Sequence, residues 1–214
     1  MGHADFWVDN AAQLLHIGGH AFPCDKEIMA SAPWKDHALL LSADTDCLSL
    51  WDREGLVRTA RVGVYPQDMA VLGDTAYVCG GADGLLHQLA LPSLRTAAAF
   101  SLPGIPERVC LHDETAFVLS LLPEEPVHTA LLHLDLQTGK HLEITRFAGI
   151  PGALAASADG VWVGLSELAL RLPWRTDTPD IAVEGLGIAG RIDVTDDGVI
   201  ITDSLEGRQI FLRA

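Results

Sequence analysis

Side chains that could bind a cation or transfer a proton are plentiful in this chain, but few have a spacing that specifies chemistry. Asp44 and Asp46 resemble the start of a calcium loop, although the glycine and the distal glutamate that complete such a loop do not follow. The nine histidines form neither an HExxH nor an HxH arrangement, and no serine lies in a GxSxG turn. We therefore expect no resident metal or other cofactor, with a divalent cation at the two aspartates as the alternative.

The charge of the chain narrows its range of partners. Its 214 residues include 29 Asp and Glu but only 14 Lys and Arg, which gives a formal net charge of −15. Such a chain repels phosphate backbones and anionic lipid, so we expect neither nucleic acid nor a membrane as its partner. A protein or small molecule that is neutral or positively charged fits this surface better.

The composition is typical of a globular cytoplasmic protein. Hydrophobic residues make up 49% of the chain, which is enough to bury a sizeable core. The N-terminal residues lack the basic start and apolar run of a secretory signal, and no stretch reaches the roughly 18 apolar residues of a membrane helix. The four cysteines form no CxxC pair, so we expect small buried thiols in a reducing compartment.

A short motif recurs along the chain. It consists of a small or β-branched residue, a large apolar residue and then proline, which alanine replaces in the last copy. Successive copies lie 38 to 45 residues apart, which is the period of a four-stranded propeller blade. The five copies are residues 21–23, 64–66, 104–106, 149–151 and 187–189.

The copies share a strand register beyond this motif. From the second copy onward, an acidic turn residue follows eight positions after the last motif residue, and a dense apolar triplet follows the turn. Such triplets are typical of strands that are buried on both faces. The turn residues are Asp74, Glu114, Asp159 and Asp197, and the triplets are residues 76–78, 116–118, 161–163 and 199–201.

Further strands complete each repeat. Third strands are predicted from Leu85, Leu131, Leu168 and Gln209, and fourth strands at residues 58–62, 96–102 and 141–147. No segment has a capped apolar stripe of helical period, so we expect almost no helix. The sequence therefore predicts an all-β fold, a five-bladed β-propeller with four-stranded antiparallel blades.

The two ends of the repeat array are irregular. The last repeat supplies only three strands, and the apolar run Leu14–Ile17 is left over near the N-terminus. We predict that this run adds the fourth strand to the last blade, because ring closure removes exposed sheet edges. In the first repeat, the apolar run after Pro23 arrives late, which predicts an insertion or a bulged first strand. Five repeats account for residues 1–214, so a single domain is expected.

Two stretches, residues 64–81 and 131–140, resemble repeats of the YVTN, NHL and PQQ-type propellers. In those repeats a strand that begins with proline leads through an Asp-Gly turn to an aromatic-Val strand, and a strand ending in Asp-x-x-Thr-Gly-Lys follows. The resemblance covers nearly the whole chain and implies the propeller fold. It implies no particular activity, because such repeats serve binding proteins, lyases, lactonases and dehydrogenases alike.

The predicted topology brings polar side chains to one face of the molecule. The loop into the first strand of each blade and the loop after the second strand open on the same face, and such loops commonly carry function. We predict a ligand site at the channel mouth on this face, in which Arg108 and Arg191 would bind an anionic group. The proposed site residues are Lys26, Tyr65, Asp68, Glu107, Arg108 and Arg191.

One loop on the same face is a candidate for partner contact. Residues 121–129 form a loop that is longer than its counterparts and is stiffened by Pro123 and Pro126. Its charged side chains Glu124, Glu125 and His128 are the predicted contact residues. A tolerated insertion without function is the alternative interpretation.

Regular blades without a catalytic motif favour a non-enzymatic binding or scaffolding protein, monomeric or weakly oligomeric. Its acidic loop face would contact a protein or a small polar ligand. The alternative is a small metal-assisted hydrolase or lyase, similar to lactonases, that uses Asp68 and Glu107 at the channel mouth. A third interpretation is a sensor domain whose partner is encoded nearby.

Overall fold

The described part of the chain consists of β-strands and connecting turns. The computed structural model describes residues 5–174 and 176–213, in which twenty strands form five antiparallel sheets and no helix is found. This confirms the predicted all-β class and the five-bladed propeller. Across the same residues no helix is long and apolar enough to cross a bilayer. Residues 1–4, which are part of the N-terminal stretch compared with a signal sequence, lie outside the described residues, as does Ala214.

The chain divides into two compact units, one up to Glu107 and one from Arg108 onward. That a single domain spans residues 1–214 stays a prediction. The strands of unit 1 are β1 (Phe6–Asp9), β2 (Leu14–Ile17), β3 (His20–Pro23), β4 (Ile28–Trp34), β5 (His37–Ser42), β6 (Cys47–Asp52), β7 (Gly55–Arg61), β8 (Asp68–Leu72), β9 (Thr75–Cys79), β10 (Leu85–Ala90) and β11 (Arg95–Ser101). They form the sheets β1–β3, β4–β7 and β8–β11.

Unit 2 contains the remaining two sheets, β12–β15 and β16–β20, and its first strand begins just before the boundary. Its strands are β12 (Ile105–His112), β13 (Thr115–Leu122), β14 (His128–Asp135), β15 (His141–Ala148), β16 (Pro151–Ala156), β17 (Gly160–Pro173), β18 (Ile181–Thr195), β19 (Gly198–Asp203) and β20 (Gln209–Arg213).

The repeat register predicted from the turns is confirmed in both units. Two-residue turns join β8 to β9 and β12 to β13, and the apolar triplets lie in the second strands β9, β13, β17 and β19. Both faces of β9 and β13 are covered: Val78 and Val118 are 0% exposed, and their neighbours on the opposite face, Tyr77 and Phe117, are 5% and 6% exposed. The predicted third and fourth strands are also present, the third strand at Leu168 as the second half of β17.

The prediction that Leu14–Ile17 completes the last blade is wrong. This run is β2, the central strand of a separate three-stranded sheet, where it pairs with β1 and β3. Both partners are only a few residues away, and the Gly18-Gly19 turn with two positive φ angles closes the β2–β3 hairpin. Short loops make such local pairing entropically cheap compared with pairing to the distant C-terminal strands.

Pro23 does not begin the first full repeat, as its motif suggested. It ends β3, and the repeat begins instead with β4 at Ile28. Ile28 lies eight residues before Asp36 in the β4–β5 turn, so it takes the position that proline has in the later repeats. The bulged first strand is confirmed, because the β4–β5 register shifts between Ile28 and Ala30.

The last sheet has five strands because two of them change partners along their length. The first half of β17 pairs with β16 and its second half with β18, whereas the second half of β18 pairs with β19. Glu167, which has a φ angle of 67°, lies between the two halves of β17. Gly160 consequently lies so close to the carbonyl of Leu172 that a Cβ atom at this position would clash with it.

Asp203 fixes the point at which β18 changes partners. Its fully buried carboxylate accepts hydrogen bonds from the backbone N–H groups of Gly187 and Ile188 in β18, and from those of Leu205 and Glu206 after β19. These donors stabilise the ionised form and lower the pKa of Asp203 to about 2. The carboxylate therefore stabilises the fold only while it is charged.

We expect Asp203→Asn to lower the melting temperature by several degrees at neutral pH, because an amide nitrogen in place of Oδ2 cannot accept from the N–H of Gly187, and one in place of Oδ1 loses the other three bonds. The pKa is lowered from 3.8 to about 2 on folding, so the ionised group stabilises the native state above pH 4, and this contribution is lost as the pH falls toward 2. Thermal unfolding followed by circular dichroism should show a difference between wild type and variant that shrinks below pH 4. The control is Asp197→Asn in the exposed β18–β19 turn; an equal effect there would contradict this role for Asp203.

Candidate ligand-binding cleft

Unit 2 contains a cleft of about 820 Å³ between sheet β12–β15 and the second half of β17. Its floor belongs to a core cluster that both sheets share, and its rim carries polar residues from the turns. This volume lies within the range of small-molecule binding sites. The floor residues are Phe117, Leu131, Ile144, Val161 and Leu172, and the rim residues are Asp113, Thr115, Leu142, Thr176 and Asp177.

Aromatic rings form one wall of this cleft. The rings of His112 and Trp174 are stacked, with centroids 4.0 Å apart and an interplanar angle of 19°. Phe117 packs on Trp174 with a centroid distance of 5.3 Å, and its ring meets His133 edge-on at 5.4 Å. Aromatic side chains from β12, β13, β14 and the residue after β17 therefore contact one another along one side of the cavity.

The orientation of Trp174 is fixed by the neighbouring hairpin. Its indole Nε1–H donates to the carbonyl of Ala158 at 2.9 Å, and its backbone N–H donates to the carbonyl of Asp159 at 3.4 Å. Both acceptors lie in the turn between β16 and β17. The aromatic wall is thus held in place before any ligand binds, which lowers the entropic cost of binding.

The rim of the cleft is negatively charged. Asp113 lies in the β12–β13 turn with its side chain 89% exposed, and Asp177 is also exposed. The described residues that line the cleft include no lysine or arginine. Nε2 of His112 lies 3.7 Å from Oδ2 of Asp113, which is too long for a hydrogen bond. The cleft therefore combines an apolar floor, an aromatic wall and a carboxylate rim.

In unit 1, the predicted site residue Tyr65 belongs to a structural arrangement around Asp46. Its backbone N–H donates to Oδ1 of Asp46 at 2.7 Å, and Arg61 donates to Oδ2 at 3.0 Å. These donors lower the pKa of Asp46, with the Tyr65 N–H as the main cause. Asp44 accepts from the hydroxyl of Ser42. Both carboxylates of the calcium-like pair therefore already have protein donors.

Three further predicted residues lie at strand starts or loops of unit 1. Lys26 is exposed just before β4, Asp68 is the first residue of β8, and Glu107 lies in β12; the last two are half-buried. Oδ1 of Asp68 accepts from the backbone N–H of Met69 at 2.9 Å. All three residues lie in or just before the first strand of a repeat, as the predicted topology requires. Their role in a ligand site stays a prediction.

The two predicted anion-binding arginines of unit 2 make different contacts. Nε of Arg108 donates to the carbonyl of Gly152 at 2.6 Å and so ties β12 to β16. Arg191 is exposed and pairs with Asp193 on its own strand, with Nε 2.8 Å from the nearer carboxylate oxygen. These contacts do not bring Arg108 and Arg191 to a common acceptor. Their joint binding of an anion stays a prediction.

The predicted partner loop is shorter than the sequence suggested. Only residues 123–127 lie outside strands, the same number as in the β9–β10 and β19–β20 loops, and the extra length lies in the eight-residue strands β13 and β14. Arg146 pairs with Glu124 at 3.2 Å, and Nδ1 of His128 lies 3.7 Å from the same carboxylate. Glu125 is exposed. The β13–β14 hairpin is therefore extended by longer strands and not by a longer loop. Of its acidic side chains, Glu124 already has an ion-pair partner.

The cleft itself was not predicted from the sequence. Its wall joins residues that are more than 60 positions apart, His112 and Trp174, and neither belongs to the recurring motif. One signal was available, because Trp174 interrupts the repeat pattern after Pro173, in a segment with no counterpart in the other repeats.

Comparison with known proteins identifies solved structures that have a similar fold. No family model matches the sequence, and neither does any curated protein. Among solved structures, the chain is similar to U3-55K (TM-score 0.71, 13% identity, 94% of this chain and 69% of the other) and to BamB from Moraxella catarrhalis (0.67, 12%, 96% and 68%). It is also similar to the Pan2 WD40 domain of Neurospora crassa (0.66, 9%, 87% and 60%). These similarities confirm a propeller repeat fold, while membership in the YVTN or NHL group stays a prediction.

The floor and the wall of the cleft should differ in their effect on stability. Phe117 is 6% exposed and lies in the core, so Phe117→Ala should reduce the free energy of unfolding by about 3 kcal/mol. Trp174 is only half-buried, so Trp174→Leu should cost about 1 kcal/mol. Urea denaturation of both variants measures these values. A larger loss for Trp174→Leu than for Phe117→Ala would show that the tryptophan is a core residue and not an available wall.

Proposed function

We propose that this protein is a non-enzymatic binding propeller whose unit 2 cleft accepts a small molecule or a side chain of a partner. The observation that carries this proposal is the cleft of about 820 Å³ with its stacked His112–Trp174 wall. A large half-exposed tryptophan is a common anchor of binding sites, because it offers much contact area at little entropic cost. The acidic loops would add contacts with a neutral or basic partner.

The contacts of the carboxylates support binding more than catalysis. Three of the aspartates with lowered pKa values have a backbone N–H donor as the main cause: Asp46 from Tyr65, Asp135 from Thr138, and Asp203 from Gly187. A general base needs an accessible lone pair within hydrogen-bond reach of substrate. These aspartates instead act as acceptors for the turns that shape the blades.

The charge balance supports the choice of partner. A net charge of −15 disfavours nucleic acid and anionic lipid at the ionic strength of a cell. We propose a cytoplasmic protein, monomeric or weakly oligomeric, that binds a neutral or cationic partner without a resident cofactor. The similar solved structures support the propeller fold on which this proposal depends, but they do not identify a ligand.

A fragment screen by ligand-observed NMR tests the proposal. We expect several aromatic fragments to bind, and their binding to be lost in Trp174→Leu because the wall of the cleft is removed. Trp7→Leu is the matched control, since Trp7 also stacks on a histidine, His16, at 3.8 Å, but belongs to unit 1. Fragment binding that survives Trp174→Leu and disappears in Trp7→Leu would overturn the assignment of the cleft.

An activity screen tests the non-enzymatic part of the proposal separately. We expect no turnover of lactone or ester substrates with or without added calcium or magnesium. Metal-dependent turnover that is lost in Asp68→Asn or Glu107→Gln would contradict the proposal and establish the hydrolase alternative.

A further inference from the structure

We infer that the cleft of unit 2 selects small amphiphilic amines, that is, ligands with an apolar body and a protonated amino group. This inference rests on the proposed function and adds the chemical class of the ligand. It depends on three features of the same cavity: the apolar floor, the aromatic side chains of the wall and the carboxylates of the rim.

The apolar body would lie on the floor of the cleft. Phe117, Leu131 and Val161 form its deep part and belong to the core cluster, whereas Leu142 stands at the rim with 67% exposure. Covering an exposed leucine and a half-exposed tryptophan removes apolar surface from water, which favours a ligand with a hydrocarbon or aromatic body. A body of roughly ten heavy atoms fills only part of a cavity of this size.

The charge of the ligand follows from the rim. Asp113 and Asp177 both line the cleft, and both are exposed at its rim. A cation close to either carboxylate at the edge of an apolar cavity gains Coulomb energy, while an anion there is repelled. The aromatic side chains that line the cleft add attraction for a cation. The rim therefore discriminates by charge, and the floor contributes affinity for any apolar body.

Three probes with the same phenylbutyl body separate these contributions: 4-phenylbutylamine, 4-phenylbutanol and 5-phenylvalerate. We expect calorimetric titration to show the amine binding about fivefold or more tightly than the alcohol, and the carboxylate more weakly than both. Asp113→Asn combined with Asp177→Asn should reduce the affinity for the amine to that for the alcohol and leave the alcohol unchanged. Both residues are exposed, so this variant should fold normally.

The control removes two negative charges elsewhere. Glu125→Gln combined with Asp197→Asn changes two exposed residues outside the cleft and alters the net charge by the same amount. We expect this variant to retain the preference for the amine, because the selection depends on the local rim and not on net charge.

The outcomes distinguish the two levels of the proposal. Equal affinity for amine and alcohol, both lost in Trp174→Leu, would refute the charge selection and leave the binding cleft intact. Loss of the amine preference in the Glu125 and Asp197 control would also refute it. If none of the three probes binds in a manner that depends on Trp174, both the amine inference and the use of this cleft are overturned.

Discussion

Burial of the second strand of each repeat on both faces is the constraint on which the rest of the structure depends. Leu39 and Leu40 point to opposite faces of β5 and are both 0% exposed. In β13, Phe117 and Val118 point to opposite faces and are 6% and 0% exposed. A strand that is apolar on both faces needs a packed layer on each side. In unit 2 the sheets β12–β15 and β16–β20 supply such layers to one another through a shared core cluster.

The cleft arises where this shared cluster reaches the surface. Leu131 and Val161 belong both to the core and to the cleft floor, so the cavity has a rigid base. Trp174 lies at its edge, stacked on His112 and tied to the carbonyl of Ala158. A half-buried aromatic wall over a rigid apolar floor is the arrangement that preorganised ligand sites use. The same packing that closes the core therefore also shapes the site.

Local sequence patterns predicted much of the fold, because turns and strand periodicity are local properties. The acidic turns and apolar triplets gave the correct second strands, whereas the role of Leu14–Ile17 was wrong. Its Leu14-Leu15-His16 segment matches Leu85-Leu86-His87 and Leu131-Leu132-His133 in third strands, a signal that the prediction did not use. The cleft depends on a contact between His112 and Trp174 that no periodicity encodes, so it emerged only from the packing of the two sheets.

The most direct test of the central claim is the ¹H–¹⁵N spectrum of the indole groups during titration with uncharged 4-phenylbutanol. The chain has five tryptophans, so each indole reports on a different place in the fold. Binding in the cleft predicts that the Trp174 signal shifts most and that the Trp7 signal does not move. The largest shift at Trp7, Trp34 or Trp51, or no shift at any indole up to the solubility limit of the probe, would contradict the account.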